Sequence, residues 1–275
     1  MGVISRLFGT GKRKHKRKRQ APKAAPRPVA KPVQTDPYSL DLREFGFERG
    51  TFQSPPFQMD LTSTRFVLKG RAYPLISYID PPQVIIDCGG NAGATACYLA
   101  KAYPAARILS FEPGKTVFEF FRRNTAQFPN ITGFNFGLSD QDGTATLQAG
   151  LESTVTQSLF PNSYTDATAE SVELRESGKV LRDNGVERID ILKLDTQGAE
   201  IPILRSLARY IGDISVIYAE YHSEDDRLAI DRLLSPTHMV VSGRIEIPHI
   251  GELCYVNKVR YWEKGNLGHY RIGPR

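Results

Sequence analysis

The sequence predicts an α/β domain: a mostly parallel sheet with helices on both faces. Three observations carry that expectation. Short uninterrupted apolar runs recur from Val84 to Tyr218, segments with helical spacing lie between them, and a glycine-rich turn follows the first run directly. Runs that short and without alternation suit strands buried on both faces, and strand–helix alternation implies parallel pairing through right-handed crossovers. Ligands bind such sheets outside the carboxyl ends of the strands.

In chain order, residues 1–37 read as a disordered basic tail, because Pro, Ala and Lys cannot bury enough apolar surface to offset the entropy of ordering. Residues 1 to 36 hold 11 Lys or Arg against one acid, Asp36, with the densest run from Lys12 to Arg19. Such a run serves as a solubilising arm, or sits on an anionic membrane surface with Val3, Ile4, Leu7 and Phe8 as a weak apolar toe. Nuclear localisation and RNA contact are rival roles. A lipid-modification signal at Met1-Gly2 is not supported, since position 6 is Arg6 where Ser or Thr is needed.

Residues 38–82 form a Phe- and Pro-rich lead-in (Phe45, Phe47, Phe52, Pro55, Pro56, Phe57), with Arg65 to Leu68 expected as a strand. Residues 83–275 form the main domain. Its strands are expected at Val84 to Ile86, Ile108 to Phe111, Ile131 to Phe136, Ile189 to Leu194 and Ile214 to Tyr218. Ala94, Cys97 and Tyr98 share one helical face, as do Val117, Phe120 and Phe121, and Ser223 with Asp226 makes a capping box. Met239 to Ile247 and Glu252 to Tyr261, joined by a short link, predict an antiparallel hairpin that closes the sheet.

Composition excludes several classes. The chain has 275 residues, 40% apolar and 24% charged, enough for one large core. Its net charge of +6 belongs to the tail; everything after Asp36 sums to −4. Cys88, Cys97 and Cys254 are odd in number and lack C-x-x-C spacing, which supports neither a disulfide framework nor a zinc site. No apolar run is long enough to span a bilayer, and the charge around Val3 to Phe8 is wrongly placed for a cleaved signal peptide. The expected location is cytoplasmic, peripheral to the inner membrane surface if the tail binds lipid.

Four clusters carry chemistry. In Asp87-Cys88-Gly89-Gly90-Asn91-Ala92-Gly93 the glycines let a ligand approach the backbone, and Asn91 is the side-chain-bearing type that best tolerates positive φ. Neither the dinucleotide fingerprint nor a P-loop is met, and the Asp87 carboxylate would repel phosphate, so a cationic or zwitterionic ligand is expected. Glu112, in Phe111-Glu112-Pro113-Gly114, stands where nucleotide-binding α/β folds hold a ribose diol. Ser139 and Asp140 lie in a third cluster, Gly137 to Gly143, whose Asp142-Gly143 pair predicts a hairpin into Thr144 to Leu147, although both residues could face an adenine. In the fourth, Asp190 to Glu200, Asp195 ends a strand before a helix carrying Pro202 in its first turn.

Together the four clusters resemble the FkbM family of S-adenosylmethionine-dependent methyltransferases, whose pattern is D-x-G-x-N-x-G, F-E-P, a Leu-Ser-Asp-x-x-Gly turn and K-[IL]-D-x-[EQ]-G-x-E. The resemblance runs from about Pro82 to Tyr261. It implies a class I methyltransferase (Rossmann-like) three-layer sandwich, with a mostly parallel seven-stranded sheet whose last strand is antiparallel. It also implies that S-adenosyl-L-methionine meets Asp87, Gly89, Gly90, Asn91 and Gly93 with its methionine part, Glu112 with its ribose, and Ser139 and Asp140 on the adenine side. Cys88 and Gly90 stand where aliphatic and Ala residues are usual, and Gln197 where Glu is common.

A hydroxyl attacks an alkylating carbon poorly unless its proton is accepted as the bond forms. His222, just past the strand after Asp195, is the expected base, with Asp195 and Glu220 as partners. The same three residues could ligate a divalent ion, a minor option, and no metal is assigned. The expected reaction is O-methylation of a glycan or small-molecule secondary metabolite. A nucleic-acid methyltransferase using the basic tail ranks lower, because Asp195-Thr196-Gln197-Gly198 stands where amino-methylating enzymes carry Asn/Asp-Pro-Pro-Tyr. A non-catalytic module ranks lower still, since Asp87 and Glu112 are present. Leu151 to Tyr164, polar and aromatic, is the candidate acceptor-lining stretch.

Overall fold

Continuous apolar strands flanked by helices give the expected layers. A computed structural model describes residues 36–56, 58–77, 79–149 and 168–263. The basic tail up to Thr35 and the stretch Leu151 to Tyr164 therefore lie outside the described residues.

The lead-in contributes the short strands β1 (Ser39–Asp41) and β2 (Thr51–Gln53), which pair antiparallel, and helix α1 (Gln58–Leu68). The main domain then runs β3 (Val84–Cys88), α2 (Ala94–Ala102), β4 (Arg107–Phe111), α3 (Lys115–Thr125) and β5 (Ile131–Phe134). Next come β6 (Gly137–Ser139), β7 (Gly143–Ala149), β8 (Thr168–Glu176) and α4 (Ser177–Asp183). The chain continues through β9 (Ile191–Leu194), α5 (Glu200–Ser206), α6 (Ala208–Ile211), β10 (Val216–Tyr221), α7 (Glu224–Leu234), β11 (His238–Ile247), β12 (Ile250–Asn257) and α8 (Lys258–Glu263).

Seven strands form the main sheet in the order β11-β12-β10-β9-β3-β4-β5, and only β12 runs antiparallel to its neighbours. This is the class I methyltransferase arrangement: an otherwise parallel sheet whose last strand in sequence is reversed and inserted beside the edge.

Alternation along each strand divides the core. Ile86, Leu109, Leu192 and Ile217 pack on one face with Leu181, Ile203, Leu204 and Ile230 of the α4, α5 and α7 layer. Ile85, Ile108, Ile191 and Val216 pack on the other with Leu99 of α2 and Phe121 of α3. A third cluster, Leu40, Leu42, Phe45 and Phe52 with Leu68 and Cys97, fastens the lead-in to α1 and α2. The three cysteines are buried and free. Ser223 accepts from the Asp226 amide at 3.0 Å, so the capping box starts α7.

Three expectations are corrected. Arg65 to Leu68 is the last turn of α1, because the apolar residues split by helical spacing: Leu61 and Leu68 face the lead-in cluster while Phe66 and Val67 face the sheet. The hairpin expected across Asp142-Gly143 does not form. β8 lies between β6 and β7, with Gly137 and Gly143 both aligned on Leu174, and the Asp142 carboxylate accepts from the Glu176 amide at 2.8 Å. The final strand stops at Asn257, whose side-chain oxygen accepts from the amides of Val259 and Arg260 and turns the chain into α8.

Asn124, fully buried on α3, donates to the carbonyls of Gln53 (2.9 Å) and Ala92 (2.8 Å) and accepts from the Gln53 amide (2.8 Å). It ties β2 to the glycine turn. Asn124→Ala leaves those groups unpaired and is expected to cost about 2–3 kcal/mol in urea unfolding; a loss below about 0.5 kcal/mol would show that the tie is structurally idle.

Candidate active site

The glycine turn between β3 and α2 is shaped by contact. Gly89 has φ +82°, and a Cβ there would lie 1.7 Å from the Asp195 carbonyl oxygen, so no side chain fits. Asn91 takes φ +44° and sends its amide to Glu112 Oε2 at 2.8 Å. The amides of Gly89 and Gly90 both donate to the Phe111 carbonyl at 2.9 Å, which clamps the turn onto β4.

Beneath the turn lies Lys193, 1% exposed in the middle of β9. Its Nζ donates to the carbonyls of Gly89 (2.6 Å) and Cys88 (3.1 Å) and stands 3.4 Å from Asp87 Oδ1 and 3.3 Å from Asp195 Oδ2. Burial works against the ammonium, but Asp195 and Asp87 outweigh it and hold its pKa above the usual lysine value. Asp195 shows the converse: burial opposes its charge, yet Lys193 holds it below the usual carboxylate range. Asp87 is wholly out of water, so burial keeps its pKa raised despite Lys193 and a 2.6 Å bond from Ser110 Oγ.

From Asp195 a chain of polar side chains crosses the carboxyl edge of the sheet. Tyr73 donates its hydroxyl to Asp195 Oδ2 at 3.3 Å, and Gln197 Nε2 donates to Asp195 Oδ1 (3.3 Å) and Glu220 Oε2 (2.9 Å). His222 Nε2 lies 3.3 Å from Glu220 Oε2, without hydrogen-bond alignment for either ring nitrogen among the described residues. Register extends the line, since Glu220 is paired across the strands with Glu252, and Glu252 with Arg244. Burial, then the charge of Asp195, pushes Glu220 well above the usual carboxylate range, and burial lifts Glu252 to about 8. Gln197 therefore bridges two carboxyl groups of unlike proton affinity, Asp195 lowered and Glu220 raised.

Beside this line opens a narrow cleft. Gly89, Asn91, Glu112 and Asp195 line it, against a wall that includes Phe111, Leu138, Leu147 and Leu174. Glu112 keeps both oxygens engaged, accepting from Asn91 and Gly114 at 2.8 Å each, while burial raises its pKa to about 7. The cleft thus offers a carboxylate edge beside an apolar slot, a fit for a polar diol joined to a flat ring.

The other expected residues stand elsewhere. Asp87 lies behind the wall, its charge met by Lys193 and Ser110, and does not face a ligand. Gly90 and Gly93 build the turn from behind, Gly93 as the N-cap of α2. Ser139 and Asp140 stand outside the lining, where Gly137 and Leu138 take their place. Ser139 is tied through its carbonyl to Ser177 Oγ at 2.6 Å, and Asp140 is exposed. Asp195, Glu220 and His222 do come together, yet no group of three or more His, Cys, Asp or Glu among the described residues could hold a metal ion.

Sequence reasoning missed the roles of Lys193, Tyr73, Gln197 and Glu252. For Lys193 a signal existed: a cation inside a run otherwise buried on both faces is anomalous unless partnered.

The family described as "Methyltransferase FkbM domain" matches residues 87–239. "Methyltransferase sdnD" of Sordaria araneosa is 32% identical over 154 residues, covering 45% of this chain and 60% of that protein. "Hexuronic acid methyltransferase AglP" of Haloferax volcanii is 25% identical over 164 residues (58% and 65%). "2-O-methyltransferase NoeI" of Sinorhizobium fredii is 25% identical over 167 residues (55% and 68%). The chain spans less than two thirds of the length of the first curated relatives it matches, 57% and 60%.

Replacing Lys193 tests the buried hub. Lys193→Met leaves Asp87 and Asp195 facing each other without a cation and is expected to cost about 3–5 kcal/mol at pH 7. Asp87, whose folded pKa is raised, binds a proton more readily folded than unfolded, so the variant should regain stability as pH falls from about 7 to 5. Urea unfolding at the two pH values measures both effects; a pH 7 loss under about 1 kcal/mol contradicts the assignment.

Proposed function

The chain belongs to the FkbM methyltransferase family, and we propose that it uses S-adenosylmethionine to O-methylate a hydroxyl of a glycan or a small secondary metabolite. The observation that carries this reading is the meeting, at one sheet edge, of the cleft at Gly89, Asn91 and Glu112 with the acid–base line Asp195–Glu220–His222. When bound, the cofactor supplies an electrophilic methyl carbon on a cationic sulfonium. The relatives NoeI, a 2-O-methyltransferase, and AglP, a hexuronic acid methyltransferase, support a hydroxylated, sugar-like acceptor.

The residues present suit that cofactor. Glu112 would accept from the ribose hydroxyls, and the slot of Phe111, Leu138, Leu147 and Leu174 would take the adenine, with Gly137 and Leu138 filling the place expected of Ser139 and Asp140. Gly89 and Asn91 would present backbone to the methionine part, supported from behind by Asp87, Gly90 and Gly93. Asp195, ionised and exposed along one side, offers negative charge toward a cation.

Hydrogen bonding divides the work between the remaining groups. Gln197 already occupies Glu220 Oε2, whereas His222 has ring nitrogens uncommitted to hydrogen bonds among the described residues. His222 would accept the hydroxyl proton, while Gln197, bonded to both carboxyl groups, keeps Asp195 and Glu220 in register. The net charge of −4 after Asp36 disfavours a nucleic-acid acceptor. The Lys12–Arg19 run, as a tether to an anionic membrane surface, belongs to the proposal, and among the described residues no helix is long and apolar enough to cross a membrane.

Two measurements test this reading. With labelled S-adenosylmethionine and hydroxylated acceptors, His222→Ala should lose about 10²–10⁴-fold in kcat while cofactor affinity holds; no cofactor binding by the unaltered chain would sink the enzyme reading, and full turnover by His222→Ala would remove the base. Separately, Glu112 accepts two hydroxyls best when ionised, so cofactor affinity should fall as pH drops through about 7 and level off above it. Calorimetric titration should find Glu112→Gln about tenfold weaker and flat across that range; an unchanged pH profile would remove Glu112 from the ribose.

A further inference from the structure

The edge of the sheet opposite the cleft carries a second groove, larger than the first. It is lined by the end of α2 (Lys101, Ala102) and by Asp80 and Pro81 just before β3, whereas the cleft lies past the other end of β3. Five residues of strand separate the two, about 17 Å. The floor is apolar, with Leu68, Leu75, Ile76 and Ile79.

Its rim gathers cations in a domain that is acidic overall. Lys69 and Arg71 are exposed, and neither has an ion-pair partner among the described residues. Lys101 gives its Nζ to the Phe45 carbonyl at 2.7 Å and lies 5.0 Å from the centre of the Phe47 ring, so its charge meets no carboxylate either. Of the acids on the rim, Glu44 is paired elsewhere, with Arg65 at 3.3 Å.

An independent observation points to a ligand. Tyr98, 6% exposed, belongs to the wall of the groove, and its buried hydroxyl has no hydrogen-bond partner among the described residues. Gly70 leaves room for that hydroxyl, since a Cβ there would lie 2.6 Å from it. An unpaired buried hydroxyl is costly, and a ligand oxygen in the groove would relieve it.

We propose that this groove is a second binding site, for a small amphipathic anion: its apolar chain lies on Leu68, Leu75, Ile76 and Ile79, and its phosphate or carboxylate head is held by Lys69, Arg71 and Lys101. Tyr98 donates to the ligand after a small side-chain shift. No residue of this groove lines the cleft, so the site is separate from cofactor binding.

Calorimetric titration of the full chain with octyl phosphate tests it, with inorganic phosphate and octanol as the head-only and chain-only arms. Saturable binding of octyl phosphate is expected, at least about tenfold tighter than either arm. The double variant Lys69→Ala/Arg71→Ala should weaken it about tenfold, and Leu75→Trp, which fills the floor, should abolish it. Both variants should keep their thermal midpoint within about 2–4 °C of the unaltered chain, which separates a lost site from a lost fold. The proposal is overturned by absence of saturable octyl phosphate binding up to about 1 mM. It is equally overturned if inorganic phosphate or octanol binds as tightly, or if well-folded variants bind like the unaltered chain.

Discussion

A single buried ammonium holds the carboxyl edge of this sheet in its working shape. Lys193 is surrounded by the carbonyls of Cys88 and Gly89 and the carboxylates of Asp87 and Asp195, so one charge joins β3, β9 and the glycine turn. The dependence is mutual. Without Lys193 the two acids would repel each other in a space that water does not reach; without the acids the ammonium would be expelled. Gly89 follows from the same constraint, because its carbonyl can bond Lys193 only where its Cα is pressed against the Asp195 carbonyl. The turn that shapes the cleft thus depends on a charge placed behind it.

The acids along the edge divide by their access to that cation. Asp195 is the one that stays ionised most firmly, since it lies nearest Lys193 and also accepts hydrogen bonds from Tyr73 and Gln197. Glu220 and Glu252 lie farther along the row, and burial leaves both with raised pKa values. Glu112, at the cleft wall, accepts two backbone amides, which hold its rise to about 7. Position along one sheet edge therefore gives chemically similar carboxyl groups different proton affinities.

Much of this was legible in sequence, and the gaps have physical causes. The strands at Ile85, Ile108, Ile191 and Ile217 were legible because burial on both faces removes polar residues from a run. Arg65 to Leu68 misled because its neighbours alternate sides by helical spacing only when Leu61 is included. The Asp142-Gly143 turn misled because β8 pairs between strands that look adjacent, a long-range contact that no local turn signal encodes. Motif positions placed Gly89, Asn91, Glu112 and Asp195 on the cleft, yet could not tell Asp87 from them; only packing shows that its charge is spent on Lys193. Glu252 was invisible because its burial comes from pairing with Glu220 and Arg244, strands distant from any motif.

The lead-in segment belongs to the site as well as to the fold. Tyr73 comes from residues before the first main strand, yet it seals Asp195 from solvent on one side and lies 5.9 Å above Lys193. Under the proposed reaction this arrangement also bears on product release. The Asp195 carboxylate would favour a sulfonium cation over its uncharged product, because the charge attraction ends when sulfur loses its methyl group. Lys193, Tyr73 and Gln197 hold that carboxylate in place, so its charge would stay directed at the site that the cation would occupy.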